Sequence, residues 1–366
     1  MSLLRAAKAV DSSVSRHAVD EKTQTSDALD FQFVRASRCP AHIVQEITGF
    51  LDTQDTSHPF QFPQWAGART YLAFVRRQAK LQWFAQCGVF YPAGRILRPI
   101  RALTLNRGPV CDDLDLAEIG LRRLVEAASR EGFAFIDIAP EWTGQLAESA
   151  GGILARNGWL PRSAPRSSLR LDLSPDLDRL LGNFRKVTRY EIRRSERQEV
   201  EVIMARDEDD CDRWLGLYLD MAREKQFAAE DCGHIRHVLR WLRLEAHRGG
   251  LLLAHKDGRL LGGIVIVRAG VRCWYVLGAT SKGDKFSAGH LLQWRAIQWA
   301  KEQGCLEYDF SGGENREGAD PGTSFFKRGF CDDVVHFLPP HRQVIRGTSV
   351  RVSDLVSKFS ARWRIS

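Results

Sequence analysis

The sequence predicts an α+β protein made of two tandem halves, each a mixed, mostly antiparallel sheet flanked by helices. Three observations carry this. A helix, a glycine and a strand ending in aspartate occur twice, as Gly132 to Asp137 and Gly304 to Asp309, 172 positions apart in both cases. Each copy follows three β-type runs, at 71–76, 82–90 and 96–105 and again at 251–255, 261–268 and 271–279. The chain has 366 residues, long for one ordinary domain and comfortable for two of about 170.

The elements follow in order. Residues 1–30 have no apolar segment long enough for a secretory signal and read as a disordered lead. The first half, 31–165, opens with a strand at Phe31–Arg35 and a helix at Ala41–Leu51. His58 to Trp65 is too rich in proline for a long helix. After the three β-type runs, Asn106-Arg107-Gly108-Pro109 reads as a turn. A helix at 116–131, the strand 133–138, a helix near 144–157 and Gly158-Trp-Leu-Pro161 complete the half.

The second half, 166–340, opens on the alternating strand Ser167–Leu173. One helix then carries Leu180, Leu181, Phe184, Val187 and Ile192 inward. A strand at 200–204 and helices at about 212–225 and 235–247 follow. Lys256-Asp257-Gly258 has the composition of a type I′ hairpin turn, and Ala269-Gly270 makes the next one. The helix Ala288–Gln303 has a broad apolar face, Gly304 stops it, and the strand 305–310 runs into Ser311-Gly312-Gly313. A short basic-aromatic helix, 323–330, and a strand near 334–338 lead to Pro339-Pro340. Residues 341–366 read as a basic tail, with one helix over 352–363.

Composition narrows the function classes. No apolar run approaches the roughly 18 residues of a membrane span, so no integral membrane segment is expected. The eight cysteines form no C-x-x-C pair, which fits buried thiols in a reduced, cytoplasmic protein and no metal site. No P-loop, H-E-x-x-H or serine-histidine-aspartate order is present. A net charge of +8 favours a polyanionic partner.

The element order matches the GNAT acyltransferase fold read twice, and particular strings make the chain similar to the FemABX family. Phe60-Gln61 with Trp65 and Arg69 resembles that family's Gln…Trp…Lys string, with arginine in place of the lysine. Arg107-Gly-Pro-Val110 resembles its RGP turn, and 137–140 its strand ending in proline. Tyr275 with Gly278-Ala-Thr-Ser281 resembles a strand end in the second half. Tyr308-Asp-Phe-Ser-Gly-Gly313 followed by Phe326-Lys327 is the most specific match. The resemblance covers most of 31–340. It implies a transferase that moves an amino acid from aminoacyl-tRNA to an amine, on a peptidoglycan-precursor-like or small-molecule acceptor. It implies Arg69, Tyr275 and Arg236 as acceptor contacts and no DNA partner. The tyrosine that often accompanies the arginine before the helix starting near Ile235 has no counterpart beside Arg236.

The residues themselves suggest roles. A fixed ammonium at Lys327 suits a developing oxyanion, and Phe326 would wall the pocket. Asp309 could position the attacking amine, act as base or bond loop amides. The segment 179–197 holds seven basic residues against two acidic ones. Arg185, Arg189, Arg193 and Arg197, four apart and joined by Lys186, form a stripe suited to tRNA phosphates. An acyl-CoA donor would need phosphate-binding amides in the turn 282–289, which lacks the usual glycine spacing and carries Asp284. No cofactor is therefore expected. An acyl-CoA N-acyltransferase and a non-catalytic RNA- or partner-binding relative are the competing readings.

Overall fold

The computed structural model describes residues 29–67, 69–92, 100–281, 288–312 and 321–350. The first half runs β1 (Leu29–Arg35), α1 (Ala41–Leu51), β2 (Thr70–Arg77), β3 (Lys80–Phe90), β4 (Ala102–Asn106), α2 (Leu114–Arg130), β5 (Phe135–Ala139), α3 (Gly144–Arg156) and β6 (Leu160–Pro161). The second runs β7 (Ser167–Asp172), α4 (Leu177–Asn183), α5 (Lys186–Arg197), β8 (Glu201–Met204), α6 (Glu208–Glu224), α7 (Cys232–Leu244), β9 (Gly249–Lys256), β10 (Arg259–Ala269), β11 (Arg272–Thr280), α8 (Ala288–Glu302), β12 (Glu307–Asp309), α9 (Pro321–Lys327) and β13 (Val334–His336). A last strand, β14 (His341–Val344), follows.

Local chemistry sets many of these boundaries. Side chains of Asp113, Asp176, Asp207 and Asp231 accept backbone N–H groups at the starts of α2, α4, α6 and α7. Asp257 and Gly258 both take positive φ, as a type I′ turn requires. The prolines after His58 allow only two single 3-10 turns, Pro59–Gln61 and Pro63–Trp65.

The described strands form two seven-stranded sheets, β1-β2-β3-β4-β5-β14-β6 and β13-β7-β12-β11-β10-β9-β8. Read in opposite directions they follow one pattern. Four antiparallel strands are followed by a single parallel pair, β4 with β5 and β11 with β12, and then by two more antiparallel strands. Asp137 and Asp309 occupy matching places. Each lies on the strand of the parallel pair and faces an arginine across the next strand, Arg342 in one half and Arg170 in the other.

The first sheet borrows one strand. The second sheet is built from β7 to β13 alone, whereas β14 follows β13 and enters the first sheet between β5 and β6. One apolar cluster also crosses between them, with Ile47, Phe62 and Phe74 packed in a core that includes Trp214, Val238 and Leu253. Gly270 of the second half approaches the carbonyl of Gln54 in the first, where a Cβ would lie 2.5 Å from that oxygen.

Three expectations are corrected. The single helix expected after Pro175 is two helices, broken where Phe184 turns extended and drops between Trp294 and Phe330. Gly182 and Asn183, both poor helix formers, precede the break. Val187 accordingly points outward and is exposed. The third β-type run begins at Ala102, and its expected start, 96–99, lies outside the described residues. Residues 341–344, expected to begin a tail, are the strand that closes the first sheet. The lead over 1–28 and the helix over 352–363 lie outside the described residues. No helix of the described chain is long and apolar enough to cross a membrane.

Candidate active site

A cavity of about 1030 Å³ opens between the halves. The first half contributes Phe60, Trp65, Gln86 and Arg107, and α7 contributes His234 and Val238. Ser311, Gly312 and Lys327 also line it.

Lys327 is the last residue of α9 and is buried. Its Nζ donates to the carbonyls of Ser311 and Gly312, the latter at 3.3 Å, and lies 5.7 Å from the centre of the Tyr275 ring. Ser311 and Gly312 both have positive φ, which places two consecutive carbonyls toward one ammonium. Burial pulls the Lys327 pKa down to about 8, against the opposing pull of the Asp309 carboxylate.

Asp309 is fully buried. Its Oδ1 accepts from the Ser168 hydroxyl and, at 2.8 Å, from the Ser311 N–H. Its Oδ2 accepts from Arg170 Nε at 2.8 Å. Arg170 also reaches Glu141 at 3.4 Å, and Glu141 accepts from Arg107 at 2.6 Å and Arg166 at 3.3 Å. Burial raises the Glu141 pKa, and Arg107 and Arg170 oppose that rise. This chain of charges runs from the first half through β7 to the second. Each buried ion has an opposite partner, as burial demands.

Two strings separated in sequence meet beside it. Gln61 donates through Nε2 to the Asn106 carbonyl at 2.7 Å and accepts the Gln86 N–H at 2.8 Å. A Cβ on Gly108 would lie 2.7 Å from the Gln61 side chain, so the turn carrying Arg107 needs glycine there.

The structure brings Lys327 and Tyr275 together, with Asp309 one hydrogen bond behind Ser311. Phe326 points the other way, packing on His290 at 4.8 Å and Phe330 at 5.5 Å. Arg69 is exposed and stacks over Tyr91, next to the cavity-lining Thr70. Arg236 lies on the outer face of α7, paired with Asp212 at 2.7 Å, while its neighbour Ile235 lines the cavity. The basic stripe divides. Arg185 donates to Asp332, and Arg189 donates to the carbonyls of Gly182 and Phe184, closing the end of α4. Lys186, Arg193 and Arg197 are exposed on one face of α5 with Tyr190. Glu191 and Glu196 turn aside to Arg194 and Arg295.

Sequence reasoning passed over Glu141, Arg166, Ser168 and Arg170. An arginine alternating with leucines in Ser167–Leu173 was the available signal, since a charge inside a two-sided buried strand requires a partner. Of the turn at 282–289, residues 282–287 lie outside the described residues.

A family model described as an acetyltransferase (GNAT) domain matches residues 182–328. The UDP-N-acetylmuramoylpentapeptide-lysine N(6)-alanyltransferase of Weissella viridescens is 26% identical over 246 residues, covering 63% of this chain and 71% of that one. The Lipid II:glycine glycyltransferase of Staphylococcus haemolyticus is 34% identical over 82 residues, about a fifth of each chain. The crystal structure of FemX superposes with a TM-score of 0.73 at 16% identity, covering 84% of this chain and 98% of that one. The FemX superposition fits the two equivalent sheets, and the Tyr-Asp-Phe-Ser-Gly segment lies beside the buried Lys327 of the Phe-Lys pair. With these relatives beside it, the chain is similar to the FemABX family, with a GNAT-like fold in each half.

Proposed function

We propose that this protein is an amide-forming acyltransferase that moves an aminoacyl group from aminoacyl-tRNA to an acceptor amine, on a cell-wall precursor or a small molecule. The observation that carries the reading is Lys327, an ammonium buried in the wall of a cavity of about 1030 Å³. The neutral acceptor amine attacks the ester carbonyl, an oxyanion forms, and on collapse the C–O bond breaks, the proton lost by the amine passing to the ribose oxygen that leaves. Lys327 stabilises that developing charge in a site shielded from water. Tyr275 lies under the ammonium, and Asp309 acts as a positioning residue through Ser311 and Arg170. The exposed face of α5 offers Lys186, Arg193 and Arg197 to tRNA phosphates. The work belongs in the cytoplasm, where charged tRNA is available. The names of the relatives, an alanyltransferase and a glycyltransferase, support the reaction class.

Single-turnover transfer from pre-charged tRNA tests this. Lys327→Ala should keep its fold and lose about 10²–10³ in rate, the loss expected for one preorganised donor. Transfer within a few-fold of wild type would remove Lys327 from the chemistry. The acetyltransferase (GNAT) match favours a second reading, an acyl-CoA donor. Stabilisation of the protein by acetyl-CoA and not by charged tRNA in thermal melts would support it.

A further inference from the structure

Three polar atoms belonging to residues of the cavity wall have no partner among the described residues. They are Nε of Arg166, the hydroxyl of Ser167 and Oε1 of Gln86. Ser167 is only 5% exposed and Gln86 only 8%. A buried polar atom left unbonded costs stability, and a ligand that completes its bonding removes that cost.

The surrounding charge says what kind of ligand. Arg107 and Arg166 share the same oxygen of Glu141, and Arg170 bridges Glu141 to Asp309. Three guanidinium groups face two carboxylates, so the network retains one positive charge. The ring of Phe337 lies within 6 Å of all three, at 5.9, 5.1 and 5.1 Å from Arg107, Arg166 and Arg170, which limits their movement. Arg166 Nε and the Ser167 hydroxyl can both donate, and their complement is an oxyanion. Gln86 Oε1 can only accept, and its complement is an N–H.

Location ties the group to the reaction. Ser168, the next residue, bonds Asp309. Asp309 holds the Ser311 N–H, and the Ser311 carbonyl receives Lys327. The unpartnered donors and the ammonium therefore belong to adjoining segments of one cavity wall.

We infer that Arg107, Arg166 and Ser167 form an oxyanion subsite for the carboxylate of the acceptor, with Gln86 taking one of its N–H groups. The acceptor is then an amino acid or peptide with a free carboxylate, not a neutral amine. This rests on the amide-forming reading of the cavity. A terminal phosphate of the donor offers the same chemistry, so the test separates the two.

Isothermal calorimetry on the full chain, with lysyl-alanine, its C-terminal amide and adenosine 5′-monophosphate as probes, decides it. Wild type should bind the acid about tenfold more tightly than the amide, the worth of one charge-assisted hydrogen bond. Arg166→Gln should bring acid and amide close together. Arg166 also donates to the Ala139 and Pro140 carbonyls, so that variant carries a folding cost. Ser167→Ala supplies the second arm. It removes a hydroxyl without a partner, so it should narrow the ratio several-fold while leaving the melting temperature unchanged or higher. Equal or absent binding of acid and amide to wild type overturns the proposal, as does a ratio that survives both substitutions. Loss of adenosine monophosphate binding in place of acid binding assigns the subsite to the donor and also overturns it. Because the readout is binding, it stands apart from the Lys327→Ala transfer assay, which tests the chemistry alone.

Discussion

At the scale of residues, the ammonium of Lys327 is poised by opposing effects. Burial favours its neutral form, and the Asp309 carboxylate favours the charged one, leaving a pKa of about 8. The charged form is the one that stabilises an oxyanion. The single-turnover rate should therefore fall as pH rises through about 8, and the fall should vanish in Lys327→Arg, whose guanidinium stays charged. A wild-type rate that stays level to about pH 10 would contradict this assignment of Lys327. Asp309→Asn should move the alkaline limb to lower pH, because it removes the charge that raises the Lys327 pKa. The same change strips Arg170 of a buried partner and should cost about 3–5 kcal/mol of stability, read as a lower denaturation midpoint. If Asp309 were an isolated base, the rate would collapse with stability unchanged.

At the scale of elements, α5 separates two kinds of arginine. Replacing Lys186 and Arg193 by Glu should weaken tRNA binding and flatten its salt dependence by about one unit of slope per lost contact. Arg189→Ala should lower the melting temperature and leave that slope alone, since Arg189 caps α4. Filter binding across a salt series would show either pattern, and an unchanged slope in the double variant would assign α5 to solvent. The sequence already showed the stripe, but not this division. Four-residue spacing places side chains on one face and says nothing of which carbonyls lie within reach. The paired β-type runs, the hairpin turn at Asp257 and the repeated Asp strands were legible because alternation and turn chemistry are local. The break at Phe184 was not, because it depends on the distant rings of Trp294 and Phe330. Among site residues, Lys327 was visible through its motif, whereas Glu141 acquires meaning only from arginines 25 to 34 positions away.

At the scale of the whole molecule, the first half does not close its sheet with strands from its own stretch alone. Arg342 on β14 bonds both oxygens of Asp137 and stacks 3.6 Å over Phe135, fixing the strand borrowed by the first sheet. A chain cut after Pro340 should lose protection in β5 as well as at the cut, read by hydrogen exchange, and should unfold at lower denaturant. Fluorescence of Trp83 in the first half and Trp214 in the second, each kept as the sole tryptophan, should report one shared transition. Two separated transitions would mean that the borrowed strand does not couple the halves.

The borrowed strand also orders events in time. β5 leaves the ribosome about two hundred residues before the strand that must lie beside it. At about 5–20 residues per second, the first sheet waits some 10–40 s with one flank unpaired. An unpaired flank invites the wrong neighbour. During synthesis, β7 is the nearest antiparallel candidate, available long before β14 and destined for the other sheet. Correct assembly thus requires the chain to keep β7 free for β12, whose Asp309 pairs with Arg170 once it has been made.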